Sequence, residues 1–187
     1  MYSEKKVTQV SKFLSMVLRH KPQTVGITLD EQGWTDVRTL IIRMNTKGIS
    51  IDIALLRHIV ATNNKKRFAF NEDNTKIRAN QGHSIDVDLA YEEKEPPAIL
   101  YHGTSEDAVA AILKSGLEKR SRHHVHLSAD TTTAKTVGSR HGKPMVLTVA
   151  AQQMFADGYV FYQSENGVWL TDHVPPRYIK LHNELIR

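Results

Sequence analysis

Val10, Phe13, Leu14 and Val17 fall at the i, i+3, i+4, i+7 spacing that gives a helix a single apolar stripe. Val37, Leu40, Ile41 and Met44 repeat the spacing. Thr35 or Asp36 is placed to cap that second helix, and Gly48 to stop it. Asp52 opens a third stretch through Leu56, Ile59 and Val60, which ends at Asn63-Asn64. The period then drops from 3.6 to two. Arg67–Phe70 and Thr75–Arg78, separated by the polar turn Asn71-Glu72-Asp73-Asn74, predict a β-hairpin. Three helices and a hairpin predict a winged helix, an architecture frequent among nucleic-acid-binding proteins.

Glu92-Glu93-Lys94-Glu95-Pro96-Pro97 interrupts both periods, because a doubled proline fits neither a helix interior nor a central strand. A surface loop within one domain would also read this way. A domain joint is preferred because the patterning changes across it. The second half alternates: strands at 99–101, 125–127, 145–149, 160–162, 168–171 and 178–181, with helices at 105–115 and 131–139. The expected fold class is α+β, with domains at 1–93 and 98–187 and a linker at 94–97.

Composition narrows the chemistry. Across 187 residues, 40% are apolar, so a packed core is within reach. Cysteine is absent, which excludes disulfides, thiol nucleophiles, Fe–S clusters and Cys-ligated zinc. No apolar run approaches the ~18 residues of a membrane span. With no secretory core in its first ten residues, the chain is expected to be cytoplasmic. The net charge of +5 is a modest excess, compatible with a polyanionic partner. Histidine stands out: seven of the ten follow Pro97.

Four stretches hold candidate chemistry. Arg19-His20-Lys21 closes the first helix. These cations suit the helix dipole by themselves, or form an anion site in which arginine forks onto phosphate and histidine moves a proton. Alternation along Lys76-Ile77-Arg78 puts Lys76 and Arg78 on one face of the hairpin, either solvated or turned to phosphate. Leu100-Tyr101-His102-Gly103-Thr104 ends a strand at a His-Gly pair before a helix. Glycine there permits close approach of a ligand, and the helix start offers free N–H groups, although a structural histidine is the plainer account. His123-His124-Val125-His126-Leu127-Ser128 puts His124 and His126 on one strand face, after the basic loop Lys119–Arg122. No His-carboxylate pattern accompanies these histidines, so no metal is expected. Walker and Rossmann glycine motifs are absent, so a nucleotide would have to bind by another route.

Together the stretches SKFLSMVLRHKP, GWTDV, KIRANQGHS, LYHGT, HVHLS, GSRHGKPMVL and NGVWLT, in this order across nearly the whole chain, resemble the RNA 2′-phosphotransferase family. The resemblance implies an N-terminal winged-helix lobe that holds RNA and a C-terminal lobe like that of NAD-using ADP-ribosyltransferases. The implied reaction removes an internal 2′-phosphate from RNA, with NAD as co-substrate, no metal, and a monomeric enzyme. The family's essential Arg-His-Arg-Arg set falls on Arg19, His20, Arg78 and Arg140, and an accessory basic position on Lys76. Its NAD-contacting motifs fall on His102, Gly103 and Thr104, and on His126, Leu127 and Ser128.

Many ADP-ribosyltransferases steer the acceptor with a late-strand glutamate. Val168 occupies the corresponding place here, with Glu165 nearby. An ADP-ribosyltransferase acting on a terminal nucleic-acid phosphate or on a protein would use the same NAD lobe. A winged-helix binding module with an inactive second lobe is a third reading, and the complete Arg19, His20, Arg78, Arg140 set argues against it.

Overall fold

The computed structural model describes residues 2–182. The chain divides into two compact units, residues 1–90 and 91–187. The described residues form an α+β protein of six α-helices and several small sheets.

The first unit begins with α1 (Glu4–Arg19). Ser3 caps it, its hydroxyl accepting from the Lys6 N–H at 3.3 Å. α2 (Val37–Thr46) and α3 (Ile53–Thr62) start on Asp36 and Asp52, whose carboxylates accept from Thr39 N–H and Leu55 N–H, both at 2.7 Å. The apolar stripes then meet: Leu14, Leu18, Leu40, Leu56 and Ile59 are almost wholly excluded from solvent, as is Ile77 of the sheet. Truncating one such leucine to alanine costs about 2–5 kcal/mol.

The hairpin of β2 (Phe68–Phe70) and β3 (Lys76–Ala79) is present, but it carries a third strand that the hydrophobic pattern did not signal. β1 (Thr35–Asp36) pairs antiparallel with β3, giving the order β1-β3-β2. Only two residues long, β1 is too short for alternation to register. Along β3, Ile77 and Ala79 are buried while Lys76 and Arg78 turn to the other face.

In the second unit, β4 (Leu100–Ser105) runs four residues beyond the expected strand end. α4 (Glu106–Ser115) follows it directly, then β5 (Leu117–Glu118), β6 (Val125–Leu127) and α5 (Thr131–Gly138). β7 (Pro144–Val149), α6 (Ala151–Ala156), β8 (Tyr162–Gln163), β9 (Trp169–Thr171), β10 (His173–Val174) and β11 (Ile179–Leu181) complete the unit. Three sheets result: β11-β7-β4, β6-β9-β8 and the pair β10-β5.

Two expected strands shift. Val160 lies outside the ladder, its carbonyl accepting from the Thr171 hydroxyl at 2.9 Å, and pairing with β9 starts at Tyr162. Tyr178 belongs to a 3-10 turn set by Pro175-Pro176, and the strand begins at Ile179. The stretch 94–97 belongs to this unit, and the Lys94 N–H donates to the Phe161 carbonyl at 2.9 Å. No helix among the described residues is long and apolar enough to cross a membrane.

Candidate active site

In the first unit the end of α1 and the segment after β3 come together. His20 Nδ1 and the Ser84 hydroxyl share a hydrogen bond of 2.8 Å, and the Ser84 N–H donates to the Arg19 carbonyl at 2.9 Å. These partners lie 64 positions apart in sequence. Gly82 turns the chain here with a φ of +84°, a conformation that favours glycine, beside the Arg19 guanidinium. Arg19, His20 and the KIRANQGHS stretch therefore form one cluster.

Arg78 lies on the sheet of the same unit. The β1–β3 register sets Thr35 opposite Ile77, so the next pair outward is Trp34 and Arg78. The Arg78 guanidinium lies 4.5 Å from the Trp34 ring centroid, a cation–π stack that fixes the plane of the fork. Lys76, opposite Asp36, makes an ion pair of 3.5 Å with Asp30. Both groups are about half exposed, so this pair orients the lysine more than it stabilises the fold. Trp34 and Ser84 were missed as functional residues. Both lie within stretches singled out above, but only strand register and the α1 contact reveal what they touch.

In the second unit, β4 and β6 bring the two histidine motifs together. Tyr101 and Ser128 exchange backbone hydrogen bonds of 2.9 and 2.8 Å. His102 Nδ1 then donates to the His126 carbonyl at 3.2 Å, since a carbonyl only accepts. Burial holds the His102 pKa below its ordinary value; the charges of Arg120 and Arg122 add to this, and its backbone hydrogen bond opposes it. His126 Nδ1 lies 3.2 Å from Arg122 Nη1. Desolvation and the like charge of Arg140 both push the Arg122 guanidinium below its usual value. Arg120 and Arg122 thus lie near these histidines, and Arg140 near Arg122.

His124 lies apart from that group, against the rings of Tyr91 and Tyr162 at 6.2 and 5.5 Å between centroids. Among the described residues no three His, Asp or Glu side chains are grouped to hold a metal ion.

Packing accounts for two features of LYHGT. The space a Cβ would need at Gly103 is held by the Ala134 carbonyl of α5, 1.6 Å away, so close packing of α5 on β4 demands glycine there. The start of α4 does not offer all its N–H groups to an anion either, because Glu106 N–H donates to the Lys143 carbonyl at 2.9 Å. Thr104 is buried beside Gly138 of α5, and Leu127 is core. Val168 sits just before β9, its N–H donating to the Ser164 hydroxyl at 3.2 Å, while Glu165 is exposed in the preceding turn.

One unit thus ties Arg19 and His20 of α1 to Ser84 and sets Arg78 on its sheet, and the other brings His102 and His126 together with Arg122 beside them. Residues 5–173 match the model of the RNA 2′-phosphotransferase, Tpt1/KptA family. The chain is 54% identical over 180 residues to a "Probable RNA 2′-phosphotransferase" of Rhodopirellula baltica, covering 96% of this chain and 98% of that protein. A Flavobacterium johnsoniae protein of the same description is 57% identical over 171 residues, covering 91% and 94%. One from Escherichia coli O6:K15:H31 is 50% identical over 180 residues, covering 96% and 98%. The chain belongs to the RNA 2′-phosphotransferase family, a family of transferases.

Proposed function

We propose that the protein removes an internal 2′-phosphate from RNA by transferring it to NAD. The first unit acts as a winged helix that holds the RNA, and the second as an ADP-ribosyltransferase-like unit that holds NAD along the segments His102-Gly103-Thr104 and His126-Leu127-Ser128, with Gly103 and Leu127 packed beneath the contacting groups. The observation that carries this reading is the first-unit cluster, in a chain of this family: Arg19 and His20 tied to Ser84, with Arg78 stacked on Trp34.

In the first step an oxygen of the 2′-phosphate attacks ribose C1″, and the C1″–nitrogen bond breaks to release nicotinamide. The phosphate arrives already ionised and needs no base. It needs orientation, which forked guanidiniums at Arg19, Arg78 and Arg140 supply without losing charge. In the second step the ribose 2″-hydroxyl attacks the phosphorus. The arginines and Lys76 offset the charge that gathers on the phosphorane. The RNA 2′-oxygen leaves with a proton from His20, the 2″-hydroxyl releases its own proton to solvent, from which His20 is reprotonated, and the products are 2′-hydroxyl RNA and ADP-ribose 1″,2″-cyclic phosphate. Ser84 holds the His20 ring for that transfer.

The test is incubation with NAD and an RNA oligonucleotide carrying one internal 2′-phosphate, beside the same oligonucleotide without it. Nicotinamide release and cyclic phosphate formation are expected only with the phosphorylated strand. Nicotinamide release without RNA would mean that water is the acceptor and would overturn the reading.

A further inference from the structure

Arg122 lies outside every residue assigned above to catalysis or to NAD, and its contact with His126 has a chemical direction. A guanidinium carries five N–H donors and no acceptor. The 3.2 Å contact between Arg122 Nη1 and His126 Nδ1 is therefore a hydrogen bond only while Nδ1 keeps its lone pair. The ring proton then sits on Nε2. A doubly protonated His126 would lose this bond and set two cations against each other.

The neighbouring histidine is fixed the opposite way. His102 Nδ1 faces the His126 carbonyl and must carry the proton, which leaves Nε2 bare. We propose that Arg122 is a positioning residue that holds His126 as the neutral, Nε2-protonated imidazole, so that the second unit presents one histidine as an acceptor and the other as a donor.

Such a pair suits a ligand group that offers an acceptor and a donor together, as a carboxamide or a ribose diol does. That part rests on the reading of this unit as the NAD-binding one. The other charges around the pair fit the assignment. Arg120 comes from the same loop as Arg122, and Arg140 lies beyond α5. Leu170 faces His126 across the β6–β9 ladder and brings no charge of its own.

The experiment is long-range ¹H–¹⁵N spectroscopy of the histidine rings in the full chain at neutral pH, without ligand, on wild type, Arg122→Met and Arg122→Lys. His126→Gln assigns the signal. Wild type and Arg122→Lys are expected to show His126 almost wholly as the Nε2–H tautomer, because lysine also only donates. Arg122→Met, close in length but without a donor, is expected to show a tautomer mixture, and about a tenfold weaker KM for NAD with a smaller change in kcat, the size of one charged hydrogen bond. A mixture in the wild-type protein, or no change in Arg122→Met, overturns the proposal. The spectra need no NAD. A fixed tautomer in a protein that neither binds nor consumes NAD would therefore uphold Arg122 as a positioning residue and defeat only the nucleotide reading.

Discussion

His20 in the first unit and His126 in the second each turn Nδ1 towards a side chain, at 2.8 and 3.2 Å. The partners differ in kind. The Ser84 hydroxyl donates or accepts, so its bond survives whether His20 carries a proton on Nδ1 or not. Arg122 only donates, so its bond survives in a single state of His126. A ring that must give up a proton and regain it needs the first kind of partner. A ring that must present one fixed edge to a ligand needs the second. In the roles proposed for these two rings, the hydrogen-bonding capacity of the neighbour, more than the histidine itself, separates proton transfer from recognition.

The sharpest way to break this contrast is at the rings themselves. His20→Asn is expected to lower kcat by about 10²–10⁴, the usual worth of a positioned acid. His126→Ala is expected to act mainly on the KM for NAD, and equal losses of kcat in both variants would erase the distinction. Arg78→Lys comes next. It keeps the charge but loses the planar fork stacked on Trp34, and turnover is expected to fall by about 10²–10³, close to the loss in Arg78→Ala. Near-normal turnover would show that a point charge suffices. Ser84→Ala is smaller: one hydrogen bond of about 1 kcal/mol corresponds to a roughly five- to tenfold loss of kcat with the KM for NAD unchanged. A raised KM instead would place Ser84 in binding.

The smallest effect concerns stability. Burial is the main cause that lowers the pKa of His102 and His124, both in the second unit. The unfolded chain takes up protons at these rings near pH ~6.5 while the folded unit resists, so stability falls as pH drops from there towards the folded values. In the first unit the lowered groups are Asp36, held chiefly by its bond from the Thr39 N–H, and Asp73, held by Thr75. Their contribution is lost only as pH falls below about 4. Amide hydrogen exchange read unit by unit between these two values is expected to show the second unit loosening first. The reverse order would remove the histidines as the cause.

The elements were legible where the sequence repeats a period. The stripes of Leu14, Leu40 and Leu56 and the capping residues Asp36 and Asp52 mark three helices without any fold to consult. What escaped was set by pairing between distant segments. β1 has two residues and no period, yet it brings Trp34 to Arg78. Arg122 was noted only as one charge in a basic loop, because nothing along the chain says which side chain its guanidinium meets. Gly103 follows a histidine, and the packing that demands glycine there is invisible along the chain. The Ala134 carbonyl that occupies the space lies on another element, and sequence spacing cannot show it.

The chain has two tryptophans, Trp34 in the first unit and Trp169 in the second, and each lies under a cation: Arg78 at 4.5 Å and the Lys94 ammonium at 5.7 Å. Each unit thus has its own fluorophore, already set beside a charge that alters its emission. A phosphate drawn to Arg78 changes the field at Trp34 and leaves that cause absent at Trp169. With Trp169→Phe the protein reports optically on its first unit alone, and with Trp34→Phe on its second alone, so the arrival of a ligand at either unit can be followed in a stopped-flow trace without an attached dye.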